Sequence, residues 1–393
     1  MKRTSFILCV SWLALAGAAE AQRPRLPRIE RLDAGVELRR DRATGELIYA
    51  RKGGSAVKPQ QPAAGGATTP GSTGTTIRVQ VNLRDISFNV LDAEGRHLRG
   101  LTGDDVRLVE KGEEQSVVHF DAATEPARVV LLFDSSPSVF REAEEMKAAA
   151  RRLAEHLDPR DEVAVVDFAG STRLRLPFTA DRALLDRAIE SINLERGGSS
   201  ERGSEIYRSV YLVAQELFAG DERRGRRSVV LLTDGQDTGL DLGWAPNSML
   251  PRGADDDRLT FEDLLRALTM IGVEVHVVSM LTRPRAMTEA WLASRQRQPL
   301  VTAAARDRGM PHYTLFLAEL VRRAGGQLYF LREIGTLGDV YARIAENLRA
   351  QYTLGYYPVR DAAPGWREIR ITVPGRDDLR FTHRVAYYVP ARK

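Results

Sequence analysis

The chain has one cysteine in 393 residues, which excludes an internal disulfide and any cysteine-built zinc site. Histidine is scarce too. The six residues, at 97, 119, 156, 276, 312 and 383, never fall three or four apart, so no local histidine zinc pair is present. Glycine (32) and proline (18) are too few for a fibrous chain. An excess of one charge is missing as well: 57 Lys and Arg stand against 53 Asp and Glu, a net +4. The basic residues are interleaved with acids, as in Asp181-Arg182 and Asp221-Glu222-Arg223-Arg224, and this reads as solvated surface rather than a nucleic-acid face. Only Arg23 to Arg42 resembles a basic arm. There is no G-x-S-x-G elbow and no glycine-rich phosphate loop with a lysine. No stretch beyond residue 21 has the apolar length of a membrane helix.

What is present begins with an address. Lys2 and Arg3 precede the apolar run Phe6 to Ala16, and Ala19-x-Ala21 fits the small-x-small cleavage rule, so residues 1–21 read as a signal peptide. Cleavage there removes the only cysteine, Cys9, and places the mature chain outside the cytoplasm, in the periplasm or beyond. Residues 22–76, Arg-rich and then Gly-, Pro- and Thr-rich, have a composition that cannot bury a core and read as a disordered linker. Residues 77–125 hold short alternating strands beginning at Ile77 and including Phe88 to Leu91, Val106 to Val109 and Ser116 to Phe120, a small β module.

From residue 126 the pattern changes. Continuous apolar runs at Val129–Phe133, Val163–Val166, Val229–Leu232, Val273–Val278 and Leu328–Leu331 mark strands buried on both faces. Helical spacing separates them, as in Val139, Ala143, Met146, Ala150, Leu153 and Leu157. The same spacing recurs at Ile206, Val210, Val213 and Leu217, and at Leu337, Tyr341, Ile344 and Leu348. Residues 126–350 are therefore expected to form an α/β domain, a doubly wound, mostly parallel sheet with helices on both faces. Residues 241–258 and 283–312 read as polar insertions, and residues 351–393 as a C-terminal β segment.

In such a sheet, ligands bind beyond the carboxyl ends of the strands where strand order reverses. Two of the buried runs end in carboxylates followed by turn residues: Phe133-Asp134-Ser135-Ser136-Pro137-Ser138 and Thr233-Asp234-Gly235. Asp134 and Asp234 would face each other across the crevice, with the Ser136 and Ser138 hydroxyls beside them. This hard-oxygen set suits magnesium, manganese or calcium, not zinc. Each element also has a plainer reading. Ser136 suits a helix cap with Pro137 in the first helical position, Ser204 suits another cap, and Asp234-Gly235 suits an ordinary turn.

The pattern Asp134-x-Ser136-x-Ser138, followed by Thr233-Asp234-Gly235, resembles the metal-ion-dependent adhesion site of von Willebrand factor A-type domains. From Ile77 the chain resembles an exported bacterial subgroup of that family. The subgroup's N-terminal β module is matched here by Gly100-Leu101-Thr102-Gly103-Asp104-Asp105 and Val109-Glu110-Lys111-Gly112, and its β tail by Gln351 to Pro358. The resemblance implies a third element, usually a threonine before a central helix. Ser204 in Gly203-Ser204-Glu205 fits that position, with Ser199 or Ser200 as competing assignments. Pro137 stands where the family usually has glycine, and proline fixes φ.

The expectation is an exported, non-enzymatic binding module that recognises an acidic residue of a protein partner through a magnesium ion (or manganese or calcium). Its metal residues are Asp134, Ser136, Ser138, Ser204 and Asp234. The alternatives are a metal-independent envelope scaffold and a hydrolase or phosphotransfer enzyme using Asp134. A phospho-aspartate enzyme of the haloacid dehalogenase type would place a second carboxylate two residues on, where Ser136 stands.

Overall fold

The computed structural model describes residues 26–42, 44–51, 83–122, 125–192, 204–221, 225–237, 257–295, 299–301, 305, 308–330, 337–358 and 363–390. The expected leader, the stretch from Gly53 to Thr76, the strand start at Ile77, the alternatives Ser199 and Ser200, and nearly all of insertion 241–258 lie outside these residues.

The Arg-rich segment expected to be disordered is folded over 26–42 and 44–51. It contributes β1 (Glu30–Arg31) and a hairpin of β2 (Val36–Arg40) with β3 (Leu47–Arg51). Leu32 and Tyr49 are buried in the main core, the Tyr49 ring lies 6.1 Å from that of Tyr211, and the Arg40 guanidinium is buried 2.8 Å from Asp263. The segment has few large apolar residues of its own. It docks instead on a core built elsewhere, which needs only a few apolar anchors.

The chain then forms β4 (Arg84–Leu91), β5 (Arg107–Glu110), β6 (Glu113–Gln115) and β7 (Val117–Ala122) before entering the main sheet. The central strands are β8 (Arg128–Asp134), β9 (Glu162–Phe168), β10 (Thr172–Thr179), β11 (Arg227–Thr233), β12 (Val273–Ser279) and β13 (Leu328–Phe330). Their order is β1-β10-β9-β8-β11-β12-β13, parallel from β9 to β13 and antiparallel at β10 and β1. The expected sheet is present, with two edge strands added. β10 gave no apolar run because Arg173, Arg175 and Pro177 interrupt it.

Alternate residues of each strand feed two layers. Val129, Leu131 and Phe133 pack with α1 (Ala143–His156) and α2 (Arg182–Glu190) on one face. Val130 and Leu132 pack with α3 (Ile206–Val213), which continues as a π-helical turn to Phe218, and with α4 (Phe261–Ile271) on the other. A short helix α5 (Glu289–Ser294) precedes α6 (His312–Ala324) on this second face, and α7 (Leu337–Arg349) returns to the first. The expected polar insertion 283–312 is also corrected in part. Met287, Trp291, Leu300, Val301, Ala305 and Met310 are buried in the second layer, because apolar residues scattered among arginines still find the sheet once the chain folds back.

The final strands are β14 (Tyr352–Tyr356), β15 (Gly365–Thr372), β16 (Arg380–His383) and β17 (Ala386–Val389). They do not form a separate tail. β14 lies between β4 and β7, and β15 between β17 and β5, giving two four-stranded sheets around Phe88, Leu108, Tyr352, Leu354 and Ile371. The β module and the β segment, expected as separate units, are thus one sandwich whose halves are 230 residues apart in sequence only because the α/β domain is inserted between them. Neither half buries a core without the other.

At the junction, Gln351 Nε2 donates to both carboxylate oxygens of Glu274, at 2.9 and 2.7 Å. Arg384 donates to the carbonyls of Thr269 and Asp85. Glu274 is at the start of β12, so the carboxyl ends of the parallel strands lie at the far end of the sheet from this contact. Burial pushes Glu274 up to about 7 and the adjacent His276 down to about 4. The two lie 3.9 Å apart. Their effects on stability oppose. Below about pH 6.5 the unfolded His276 takes a proton that the folded one refuses, so acid destabilises. Between about pH 4.5 and 7 the folded Glu274 holds a proton that the unfolded one has released, so acid stabilises. The Glu274→Gln variant should therefore lose stability more steeply than the wild type on going from about pH 6.5 to 4, by up to roughly 3 kcal/mol for the unopposed histidine. Urea denaturation across that range checks this, and parallel profiles for the two proteins would refute it.

Candidate metal centre

β8 and β11 are neighbours, and the strand order reverses between them, since β9 lies to one side of β8 and β11 to the other. A parallel pair leaves a crevice at such a point. Asp134, the last residue of β8, and Thr233, the last of β11, end at its floor.

Asp134 is wholly buried. Its Oδ1 accepts the backbone amide of Ser136 at 3.0 Å. Its Oδ2 accepts the hydroxyls of Thr233 at 2.7 Å and Ser204 at 3.3 Å. One carboxylate thus holds three loops together: the β8 loop, the segment leading into α3, and the β11 loop. Burial raises its pKa to about 6, and the charge of Asp234 acts in the same direction. No lysine or arginine contacts it among the described residues.

The serine hydroxyls lie against one another and against Asp134. Ser136 Oγ lies 3.0 Å from Ser138 Oγ and also bonds the Asp134 carboxylate, rather than capping the helical turn Pro137–Glu142. The N-cap of α3 is Glu205, not Ser204, and its side chain makes no cap bond. Ser204 turns to Asp134 instead. Ser138 is exposed, while Ser136, Ser204 and Asp234 are buried near the surface. Pro137, the residue that departs from the family pattern, begins the helical turn without displacing either neighbouring hydroxyl.

Asp234 Oδ1 accepts the amide of Gln236 at 3.0 Å, which folds the β11 loop back on itself. Gly235 sits in the left-handed region at φ 82, and a Cβ there would meet Leu317 Cδ1 at 2.8 Å. The loop therefore needs glycine for both backbone conformation and space. The five residues picked from the sequence come together: four through hydrogen bonds and Asp234 through its charge on Asp134.

Three contributors were not identified as site residues from the sequence. Thr233 places its Oγ1 on Asp134 and accepts the Gly235 amide at 2.9 Å. Its position just before Asp234 was the available signal. Asp237 accepts the backbone amide of Tyr207 in the first turn of α3 at 3.2 Å, tying the β11 loop to the segment that carries Ser204. Asp167, wholly buried at the end of β9, accepts Ser135 Oγ at 3.2 Å and pairs with Arg173 and Arg175. Nothing local in the sequence points to Asp237, whose partner is 30 residues away, whereas Asp167 directly follows the apolar run Val163–Val166 and that position was the available signal.

The donor set fits a hard divalent cation. Adjacent ligands of an octahedral magnesium at 2.0–2.1 Å lie about 2.8–3.0 Å apart. The Ser136 and Ser138 oxygens have that spacing. Asp134 and Asp234 supply two negative charges with no basic side chain against Asp134, a combination that favours a cation in a desolvated site. Among the described residues no group of three or more His, Cys, Asp or Glu converges, so any such centre depends on hydroxyls and water.

The family model described as von Willebrand factor type A domain matches residues 129–236, which run from β8 through the β11 loop. A UPF0353 protein of a Mycobacterium species (strain KMS) is 25% identical over 235 residues, covering 59% of this chain and 59% of that protein. The chain thus spans about three fifths of the length of the curated relatives it matches. Among solved structures, BatB from Bacteroides thetaiotaomicron is 18% identical, with 56% of this chain and 96% of that one covered at a TM-score of 0.37. A von Willebrand factor type A protein from Catenulispora acidiphila is 14% identical, with 81% and 76% covered and the same TM-score, 0.37. Likenesses this remote carry no function across. The match over 129–236 thus falls on the part of the α/β unit that carries the Asp134–Thr233 crevice, and there the chain is similar to von Willebrand factor type A domains.

Proposed function

We propose that the A-type domain binds a protein partner through a magnesium ion held at the β8–β11 crevice, and that the chain is exported and works in the periplasm or outside the cell. The observation that carries this reading is the turning of Ser136 and Ser204 toward Asp134, with Ser138 Oγ 3.0 Å from Ser136 Oγ. Asp134, Ser136 and Ser138 are the principal ligands. Ser204 coordinates directly or through water, and Asp234 acts mainly through water. Two carboxylates and neutral hydroxyls leave a divalent ion free to accept one further anionic oxygen, and exposed Ser138 marks the open side. A partner carboxylate completes the shell. The activity is recognition rather than turnover, and manganese or calcium can take the place of magnesium.

Export rests on the leader pattern of residues 1–21. No helix among the described residues is long and apolar enough to cross a membrane.

Titration calorimetry of the mature chain with magnesium chloride tests the site. Saturable heat from one equivalent of magnesium, seen with protein stripped on a chelating resin and absent from protein already saturated with magnesium, is the expected result. A flat titration with magnesium, manganese and calcium alike would rule the reading out. Partner capture from envelope extracts that survives a chelator unchanged would favour a metal-independent scaffold.

A further inference from the structure

Beside the crevice lies an unbalanced charge. Asp167 is buried completely and faces two guanidinium groups. Arg175, with 10% of its side chain exposed, already reaches both oxygens, through Nε to Oδ1 at 2.5 Å and Nη2 to Oδ2 at 3.2 Å. Ser135 Oγ donates to the same carboxylate at 3.2 Å. Asp167 is therefore satisfied without Arg173.

Arg173 pairs with Asp167 through Nη2 alone, and that nitrogen lies 3.5 Å from Ser135 Oγ, the residue before Ser136. Its Nε is buried without a partner, and a third of the side chain is open to solvent. The residue opposite it on β1, Arg31, is neutralised by its own carboxylate, Asp33, at 2.6 Å. One positive charge in this group of residues thus has no balancing anion, and it sits next to the serine loop. A guanidinium with donors to spare takes carboxylates in a bidentate fashion.

We propose that Arg173 is a second anchor for the partner, so that the site prefers a protein segment carrying two neighbouring acidic groups, one for the metal and one for Arg173. This rests on the metal-dependent reading above. It adds that the partner is di-acidic and that its orientation is set by the line from the crevice to β10.

The test uses fluorescein-labelled synthetic peptides in a neutral Gly/Ser background, with one glutamate or with two at spacings of one to four residues. Binding to the mature protein is read by polarisation in magnesium, alongside magnesium calorimetry and thermal melting. The wild type should bind the best di-acidic peptide about tenfold more tightly than the mono-acidic one, as expected for one added charge-assisted pair. Arg173→Gln should erase that ratio while leaving magnesium affinity and the mono-acidic peptide unchanged, because Arg175 still pairs both Asp167 oxygens. Arg173→Lys, which keeps the charge, should restore part of the ratio. A wild type that binds magnesium yet shows no di-acidic preference, or an Arg173→Gln variant that keeps the preference, overturns the proposal. Absence of magnesium heat in the wild type overturns the metal reading itself, and this proposal with it.

Discussion

Replacing Asp134 by alanine should abolish divalent-cation binding, with a loss of at least a hundredfold in affinity. Among the described residues the carboxylate is the one anion that contacts all three loops of the crevice, through the Ser136 amide, Ser204 Oγ and Thr233 Oγ1. Its removal takes away both a ligand and the group that holds the other oxygens in place. Asp134→Asn separates these roles, because the amide keeps the size and most hydrogen-bond partners but not the charge. Without metal, burial of the Asp134 carboxyl beside Asp234 opposes its ionisation. The asparagine variant should therefore be at least as stable as the metal-free wild type. Adding magnesium at a hundredfold excess over its dissociation constant should raise wild-type stability by about 2.7 kcal/mol and leave the variant unmoved. Thermal melting with and without magnesium reads both effects at once. A wild type and an Asp134→Asn variant that respond equally to magnesium would place the cation elsewhere.

The second large effect concerns the N-terminal hairpin. Arg40→Ala should destabilise the protein by about 3 kcal/mol, toward the lower end of the 3–5 kcal/mol expected for breaking a buried ion pair. Both side chains are almost fully buried, and the two meet through paired bonds of 3.2 and 2.8 Å. Arg40 also donates to the carbonyls of Gly45 and Arg258. The loss stays at the lower end because Asp263 keeps its bonds to the amide and hydroxyl of Thr260 in the cap of α4. Removing both charges together, as Arg40→Met with Asp263→Asn, should cost less than the sum of the single changes, since neither leaves an unpaired charge behind. Denaturant unfolding of the four proteins measures the cycle. A single-variant loss under about 1 kcal/mol would mean that the hairpin contributes little to the fold.

How much of this was legible beforehand follows from the range of each interaction. The runs Val129–Phe133 and Val229–Leu232 are apolar at every position because both faces of those strands are covered by helices, so a local pattern carries a global fact. Their ends are equally visible: each run stops at a polar residue, Asp134 or Thr233-Asp234, where the strand gives way to the loops of the crevice. β10 was hidden because Arg175 is buried and Arg173 part-buried against Asp167, which is polar burial that hydropathy reads as surface. The folded hairpin of β2 and β3 was hidden for a related reason. Arg40 looks like solvated charge until Asp263, 223 residues later, is placed against it. The separation of the β module from the β segment was an artefact of reading along the chain, since β14 belongs between β4 and β7.

By itself, the sequence determined the α/β architecture of the inserted domain, the ends of its central strands, and the five oxygen-bearing residues gathered there. Each is written in short-range periodicity or in a motif a few residues long. Only the tertiary structure decided that Thr233 and Ser204 both bond Asp134, that Asp237 ties two loops together, and that Arg173 stands beside them with an unbalanced charge. These are pairings between groups distant in sequence, and their energies come from burial and geometry at contact, which no local pattern of residues encodes.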